Sequence, residues 1–292
     1  MMTKSHIKWQ LSLLLVVCSS YSSLPGPDSS LFTVPYGNNK KVGKYAEING
    51  IKMYYEIYGR GEPLVLIHGN DDDIQAMGYQ IRYFSRYYRV IAADSRGHGK
   101  TGLGDGRLTY EQMADDWASL LDELGIDSTY VLGWSDGGII GLLLAIHHAS
   151  KVRMLAAMGA NLRPDTSAVY YWAVNWVKQM DQMADSMIAR NDTSQDWYLR
   201  KQYLDLLGKQ PHIPLADLHT ISIPVLIMAG DRDVIREEHT ILIYQNLNKA
   251  HLCIFPGATH MIPVMNPELF NRTVHRFFKN PFTRPDSRDN FP

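Results

Sequence analysis

One serine of this chain lies at the centre of a glycine-flanked turn that could present it for chemistry. The segment Gly133-Trp134-Ser135-Asp136-Gly137 fits the pattern G-x-S-x-G. It follows the apolar run Tyr130–Leu132 and leads into a helix-like segment that begins at Gly137. A sharp turn from a strand into a helix raises the serine hydroxyl above the sheet, and the helix N-terminus adds a positive dipole end. The pattern therefore predicts that Ser135 is a nucleophile.

A serine nucleophile needs a general base, and the base needs a carboxylate that orients it. Asp233 closely follows the apolar run that starts at Pro224, and His260 closely follows the run Leu252–Phe255. Because the carboxyl ends of parallel strands meet at one edge of a sheet, we expect both side chains to lie near Ser135. The sequence therefore predicts a triad of Ser135, His260 and Asp233.

The elements that must position these residues alternate between short apolar runs and helical patterns. Strands are predicted at Leu64–Ile67, Tyr88–Ala93, Tyr130–Leu132, Val152–Met158, Pro224–Met228 and Leu252–Phe255. Helices are predicted at Tyr110–Leu124, Gly137–His148 and Pro267–Phe278. Thr109 and Asn266 are expected to cap the first and the last helix, and Asn49-Gly50 predicts an antiparallel hairpin at one edge. This alternation predicts an α/β fold with a mostly parallel central sheet and helices on both faces.

One segment, residues 161–222, interrupts the alternation. It is rich in Trp, Tyr and Met and has no clear buried strand, so we predict a helical cap inserted into a core formed by residues 45–160 and 223–280. Residues 281–292 are predicted to be a C-terminal tail. Aromatic side chains near a nucleophile can line a substrate pocket. The candidates are Trp134, Trp172 and Trp176.

The first 20 residues have the pattern of an export signal. Lys4 and Lys8 precede the apolar run Leu11–Val17, which is too short to span a bilayer as a helix. Residues 1–20 are therefore predicted to be a signal peptide, or a lipoprotein signal that ends before Cys18 and leaves a lipid anchor there. Residues 21–44, rich in Ser, Pro and Gly, are predicted to be a linker. We expect an exported protein that is periplasmic, secreted or lipid-anchored to the membrane.

Charge and composition narrow the class of partner. The chain has 29 Lys and Arg against 30 Asp and Glu and no basic stripe, which gives nucleic-acid binding little support. No cluster of His, Cys, Asp and Glu has the spacing of metal ligands, so neither a metal nor an organic cofactor is predicted. The expected partner is a small-molecule substrate, with membrane contact only through the lipid anchor predicted at Cys18. The sequence leaves the oligomeric state open.

Four further motifs accompany the nucleophile turn along the chain: Leu66-Ile67-His68-Gly69-Asn70, Asp94-Ser95-Arg96-Gly97-His98-Gly99, Gly230-Asp231-Arg232-Asp233 and Gly257-Ala258-Thr259-His260. With these motifs the chain resembles the α/β-hydrolase fold superfamily over about residues 45–279. The segment Gly-Trp-Ser-Asp-Gly-Gly is similar to the corresponding segment of the biphenyl hydrolase-like and related small-ester hydrolases. The resemblance implies an α/β-hydrolase fold in which Ser135, Asp233 and His260 are catalytic.

The resemblance also implies an oxyanion hole built from main-chain N–H groups. Its donors would be Asn70, which follows His68-Gly69, and Asp136, which follows the nucleophile. Two roles are open for the Asp136 side chain, which could stabilise the N-terminus of its helix or pair with a cationic substrate group. The run Asp71–Asp73 could add to a preference for cations, or consist of solvated loop residues that cap the next helix.

These residues point to a serine hydrolase that cleaves a small carboxylic ester through an acyl-enzyme. A carbon–carbon bond hydrolase and an aminopeptidase-like amide hydrolase would use the same triad and are alternatives. The fold can also serve as a non-catalytic binding module. That use normally comes with a broken triad, whereas Ser135, His260 and Asp233 are all present here.

Overall fold

Residues 32–290 of the 292-residue chain are described by the computed structural model. They contain a sheet of eight strands: β1 Lys44–Ile48, β2 Ile51–Tyr58, β3 Pro63–Ile67, β4 Arg89–Ala93, β5 Thr129–Trp134, β6 Val152–Met158, β7 Val225–Arg232 and β8 Ala250–Thr259. The strands lie in the order β1-β2-β4-β3-β5-β6-β7-β8. Pairing is antiparallel between β1 and β2 and between β2 and β4, and parallel from β4 to β8. The predicted α/β fold with a mostly parallel sheet is confirmed.

The antiparallel edge begins with the hairpin predicted at Asn49-Gly50. Ile48 pairs with Ile51 across the turn, and Asn49 and Gly50 have φ angles of 43° and 76°. Asn and Gly adopt this left-handed conformation at lower cost than other residues, so they suit a tight two-residue turn. The turn folds β1 back onto β2 and thereby completes the edge of the sheet.

Nine α-helices accompany the sheet within the described residues: α1 Gly78–Phe84, α2 Tyr110–Glu123, α3 Asp136–His147, α4 Tyr171–Ala189, α5 Trp197–Lys209, α6 Leu215–Leu218, α7 Glu237–Gln245, α8 Ile262–Met265 and α9 Pro267–Lys279. Thr109 accepts a hydrogen bond from the N–H of Gln112 at the start of α2, and Asn266 accepts one from Leu269 at the start of α9. Both predicted N-caps are therefore confirmed.

The parallel strands bury both of their faces. Along β3, Val65 lies in the same core cluster as Trp117 of α2, whereas its neighbour Leu64 lies in a second cluster with Phe84 of α1. Successive side chains of a strand point to opposite faces, so one strand contributes to both layers. The result is a frame in which the carboxyl ends of the parallel strands meet at one edge.

The segment predicted to be a cap, residues 161–222, contains helices α4 to α6, which lie between β6 and β7 in the chain. Its helix α5 lies against the core: Tyr203 stacks on His98 with ring centroids 4.5 Å apart and donates a hydrogen bond to the carbonyl oxygen of Gly97. The 19-residue helix α4 is more exposed, and only Ala173 and Ala184 are buried along it. Helix α5 is therefore the inner helix of the cap.

Residues 32–43 pack against the sheet. Tyr36 is buried, and the carboxylate of Glu56 accepts hydrogen bonds from the main-chain N–H groups of Gly37 and Asn39. The ring of Phe32 meets that of Tyr36 edge-on, with centroids 5.4 Å apart. The prediction of a linker over residues 21–44 is therefore wrong for residues 32–44, because aromatic side chains and a buried carboxylate tie this segment to the sheet.

Several predictions for the termini lie outside the described residues. These are the signal peptide, the lipid anchor at Cys18 and the linker up to residue 31. At the other end, the predicted tail is described as far as residue 290, and within it Phe282 stacks on His251 with ring centroids 4.8 Å apart. Between residues 32 and 290, no helix combines the length and the apolar character needed to cross a membrane.

Candidate active site

Ser135 lies in the turn between β5 and α3, where its backbone is left-handed. Its φ is 58° and its ψ is −120°, a conformation that costs a residue other than glycine about 1–3 kcal/mol. A Cβ on Gly133 would lie 2.0 Å from the carbonyl oxygen of Gly137, and a Cβ on Gly137 would lie 2.1 Å from that of Ile67. Both positions require glycine because β3, β5 and α3 approach closely around Ser135.

The hydroxyl of Ser135 lies within hydrogen-bond distance of His260. Nε2 of His260 is 2.9 Å from Oγ of Ser135, and Nδ1 is 2.6 Å from Oδ1 of Asp233. The Asp233 carboxylate also accepts hydrogen bonds from the main-chain N–H groups of Gly230 and Ile235, each at 3.2 Å. With the Nδ1 proton directed at Asp233, Nε2 can accept the serine proton. The structure thus brings the three predicted residues together.

Burial and charge shift the pKa values of Asp233 and His260 in opposite directions. Burial lowers the pKa of His260, but the charge and hydrogen bond of Asp233, together with the charges of Asp136 and Asp72, raise that pKa above the usual 6.5. Burial raises the pKa of Asp233, but the charge and hydrogen bond of His260 outweigh it and hold that pKa below its ordinary value. Asp233 is therefore ionised at neutral pH and can stabilise an imidazolium at His260.

The segment that precedes α1 approaches the nucleophile at Gly69. A Cβ on Gly69 would lie 3.2 Å from the Cβ of Ser135. His68 orients this loop: its Nε2 accepts from the N–H of Ser95 at 2.9 Å, so Nδ1 carries the proton and donates to the carbonyl oxygen of Gly69 at 2.8 Å. Burial lowers the pKa of His68 to about 4, so the ring is neutral at pH 7. Asn70 follows directly, and its main-chain N–H stays a predicted oxyanion donor.

The side chain of Asp136 is enclosed beside this loop. Asp136 is 2% exposed, and its Oδ2 accepts a hydrogen bond from Nδ2 of Asn70 at 2.8 Å. The buried hydroxyl of Tyr110 donates a second hydrogen bond to the same carboxylate. Burial raises the pKa of Asp136 to about 6. The structure adds a role to the two left open: the Asp136 carboxylate accepts a hydrogen bond from the side chain of Asn70, a predicted oxyanion residue.

The three aspartates that follow Asn70 have different surroundings. Asp71 forms an ion pair with Arg200 of α5, and Asp73 caps the 3₁₀ helix Ile74–Met77 by accepting from the N–H of Gln75. Burial, together with the negative charges of Asp73 and Asp136, raises the pKa of Asp72 to about 7. No group of three or more His, Cys, Asp and Glu residues within the described part of the chain is arranged to hold a metal ion.

The tryptophans predicted to line a substrate pocket do not line the cavity found beside Asp71–Asp73. Trp134 is 3% exposed, and its indole N–H donates to the carbonyl oxygen of His260 at 2.9 Å, because β5 directs the ring into the core beneath the histidine loop. Trp172 is 60% exposed on the first turn of α4, and Trp176 is half-buried. A cavity of about 240 Å³ beside the loop that follows β3 is lined by Asp71, Asp72, Asp73, Gln75, Ala76, Gly99 and Tyr203. Trp134 is therefore part of the core, and the pocket roles of Trp172 and Trp176 stay predictions.

Two residues of α5 that contact the site, Arg200 and Tyr203, have no clear signal in the sequence. Arg200 pairs with Asp71, and the main-chain carbonyl of Tyr203 accepts a hydrogen bond from Nδ2 of Asn70 at 3.2 Å. Residues three apart lie on the same face of a helix, so Arg200 and Tyr203 form one stripe on α5. That spacing is a weak signal, because it does not indicate which distant loop the stripe contacts.

Comparisons with known proteins give similar hydrolases over most of the chain. Residues 62–206 match the model of a family described as the alpha/beta hydrolase fold. The chain is 24% identical to serine hydrolase BPHL of Homo sapiens, over 84% of this chain and 88% of that protein. It is 27% identical to 2-hydroxy-6-oxo-2,4-heptadienoate hydrolase of Pseudomonas putida, over 82% of this chain and 97% of that protein. The crystal structure of MGS-M2, an alpha/beta hydrolase enzyme from a Medee basin deep-sea metagenome library, is similar with a TM-score of 0.72 and 18% identity, covering 83% of this chain and 99% of that chain.

Proposed function

This chain belongs to the α/β-hydrolase fold superfamily of enzymes, and we propose that it is a serine hydrolase that cleaves a small carboxylic ester through an acyl-enzyme. The observation that carries the proposal is the line of short contacts from Asp233 through His260 to Ser135. In that line the serine has a base, and the base has an orienting carboxylate.

In the first half of the reaction, Oγ of Ser135 attacks the ester carbonyl carbon while Nε2 of His260 takes the hydroxyl proton. The carbonyl oxygen becomes an oxyanion, and the predicted donors to it are the main-chain N–H groups of Asn70 and Asp136. The C–O bond to the leaving group then breaks, and His260 gives its proton to the departing alcohol. The acyl group remains bound to Ser135.

In the second half, water replaces the alcohol. His260 takes a proton from the water as its oxygen attacks the acyl carbon, and the second tetrahedral intermediate returns that proton to Oγ of Ser135. The products are a carboxylic acid and the alcohol released earlier. Asp233 keeps its negative charge throughout and stabilises each imidazolium that forms at His260.

Replacing the nucleophile tests the proposal directly. Ser135→Ala removes the attacking oxygen, so hydrolysis of short-chain p-nitrophenyl esters should fall by about 10⁴-fold or more. A fluorophosphonate should label the unchanged protein at Ser135, with the site located by peptide mass spectrometry. Unchanged turnover in Ser135→Ala, or an unlabelled Ser135, would contradict the proposal.

A matched control lies at the opposite end of the same strand. Ser128 precedes β5, at the edge away from the site, and its hydroxyl accepts a hydrogen bond from Nε of Arg153 at 3.1 Å. Ser128→Ala deletes the same oxygen without touching the triad, so it should keep its esterase activity and its fluorophosphonate labelling. A loss of activity there equal to that of Ser135→Ala would point to misfolding instead of chemistry.

A second candidate, hydrolysis of esters or amides that carry a free amino group, is favoured by the carboxylates beside the nucleophile. Asp72 lies near enough to Gly69 that a Cβ there would be 3.5 Å from its Oδ2, and the buried charge of Asp136 interacts with it. A carboxylate near a bound ammonium favours that substrate over a neutral one. Matched p-nitrophenyl esters with and without an α-amino group measure the preference, and equal kcat/KM values would exclude it.

A vinylogous diketone added to the panel of substrates tests the other alternative, carbon–carbon bond cleavage.

We also propose that the protein is exported, on the basis of the charged and apolar pattern of residues 1–20. Cell fractionation of the full chain, and of a chain that starts at residue 21, tests this proposal. Export is supported if only the full chain leaves the cytoplasm. Cys18→Ala in the full chain then separates a lipid-anchored form, which would be lost from the membrane fraction, from a free one.

A further inference from the structure

Asn70 connects the nucleophile turn to the cap. One N–H of its carboxamide donates to Oδ2 of Asp136 at 2.8 Å, and the same nitrogen donates to the main-chain carbonyl of Tyr203 at 3.2 Å. An Asn side chain has two N–H donors on that nitrogen, so both have an acceptor. We infer that the inner cap helix α5 and the Asp136 side chain together position Asn70, and with it the oxyanion hole of the proposed hydrolase.

The residue after Asn70 is held by the same helix. Asp71 has a φ of 57°, which places it in the left-handed region, and its carboxylate forms an ion pair with Arg200. A left-handed residue other than glycine persists when its surroundings determine its conformation. Arg200 and Tyr203 lie one turn apart on α5, so a single helical face contacts both Asn70 and Asp71.

Helix α5 is itself fixed to the core by side chains that do not touch the proposed oxyanion hole. The Tyr203 hydroxyl donates to the carbonyl oxygen of Gly97, and its ring stacks on His98. The N–H of Leu108 donates to Oε1 of Gln202 at 2.8 Å. The helix is therefore a rigid support for the loop.

The position of Asn70 matters because an oxyanion donor must meet an oxygen whose charge grows during the attack. A donor that is already in place needs no reorganisation at that moment, and removing one donor typically costs about 10²–10³ in rate. Loosening its support costs less, since the main-chain N–H is still present. The loss should fall on kcat, because the contact strengthens in the transition state and contributes little to substrate binding.

This inference rests on the proposed function, so its test uses ester hydrolysis by the unlabelled protein, after a separate sample has shown that fluorophosphonate labels Ser135. Asn70→Ala removes both carboxamide contacts and should lower kcat by roughly 10- to 100-fold, with KM changed less than about twofold. Arg200→Gln removes the ion pair with Asp71 and should lower kcat by roughly three- to tenfold, again without a matching change in KM.

Two remote variants serve as matched controls. Asn248→Ala deletes a carboxamide that donates to the main-chain carbonyl of His219 at 2.9 Å. Arg153→Gln deletes an exposed ion pair with Glu62 at the other edge of the sheet. Both variants should keep the wild-type kcat and KM. A comparable fall in kcat in these controls would mean that the losses at Asn70 and Arg200 are unspecific and would overturn the inference.

A conservative replacement separates positioning from folding. Asp136→Ala removes the acceptor of Asn70, whereas Asp136→Asn keeps an oxygen that can accept the same N–H. The Asn variant should therefore recover most of the kcat that the Ala variant loses. Equal kcat in the two variants, an unchanged kcat in Asn70→Ala, or a loss confined to KM would each overturn the inference. Failure of the proposed function is a different result, namely full esterase activity in Ser135→Ala.

Discussion

His260 must be neutral for Ser135 to lose its proton, so the pH dependence of hydrolysis should report the ionisation of this histidine. Burial lowers its pKa, but Asp233, with the charges of Asp136 and Asp72, raises the pKa above 6.5. We therefore expect kcat/KM to rise with pH and to reach half of its maximum above pH 6.5, as measured with a neutral p-nitrophenyl ester. A midpoint below pH 6.5 would mean that these carboxylates do not stabilise the imidazolium.

The two aspartates at the end of β7, Asp231 and Asp233, should differ sharply in their effect on the reaction. Asp233→Asn removes the charge that stabilises the imidazolium and should lower kcat by about 10⁴-fold. Asp231 instead accepts a hydrogen bond from the N–H of Gly257 at 2.9 Å, so Asp231→Asn should leave kcat within about twofold of wild type. Steady-state kinetics of both variants measures the difference. Similar losses in the two would contradict the assignment of Asp233 as the acid.

Among the elements, the turn after β4 is joined to its neighbours through one side chain, that of Arg96. The buried guanidinium of Arg96 donates to both carboxylate oxygens of Asp116 on α2, at 2.6 and 2.8 Å. It also donates to the main-chain carbonyls of Asn49, in the β1–β2 hairpin, and of Leu103. The D-x-R-G-x-G motif in the sequence therefore serves to tie the hairpin, the turn and α2 together.

Removing the partner of Arg96 should destabilise the protein strongly. Asp116→Ala leaves a buried, unpaired charge, which typically costs about 3–5 kcal/mol in the free energy of unfolding. Asp122 on the same helix forms an ion pair with Lys151 but is 68% exposed, so Asp122→Ala should cost less than about 1 kcal/mol. Unfolding in urea compares the two variants. A small cost for Asp116→Ala would show that water enters and solvates Arg96.

For the molecule as a whole, the segment before β1 is a structural part of the fold. Glu56 is fully buried and depends on this segment for two of its hydrogen-bond donors, Gly37 and Asn39. A chain that starts at residue 44 loses both donors, so its free energy of unfolding should fall by about 3 kcal/mol or more. A chain that starts at residue 32 keeps them and should match the full protein in urea unfolding. Equal stability of the two truncated chains would contradict this view.

The sequence by itself determined the features that depend on local patterns. Short continuous apolar runs predict strands that are buried on both faces, because successive side chains of a strand point to opposite faces. Thr109 and Asn266 predict helix starts because their oxygens bond to N–H groups three residues on. The glycines on either side of Ser135 indicate a close approach that leaves no room for a Cβ. Each of these signals involves residues that are close together in the sequence, so it can be recognised without the tertiary structure.

Only the tertiary structure decided which distant groups meet. Asn70 contacts Asp136 and Tyr203, which lie 66 and 133 residues further along the chain, and no local pattern encodes such a pairing. Trp134 was a pocket candidate by its position in the sequence, yet the face of β5 on which it lies turns it into the core, where it holds the His260 loop. Local patterns determine where side chains leave the backbone, whereas the packing of helices onto the sheet determines what those side chains contact.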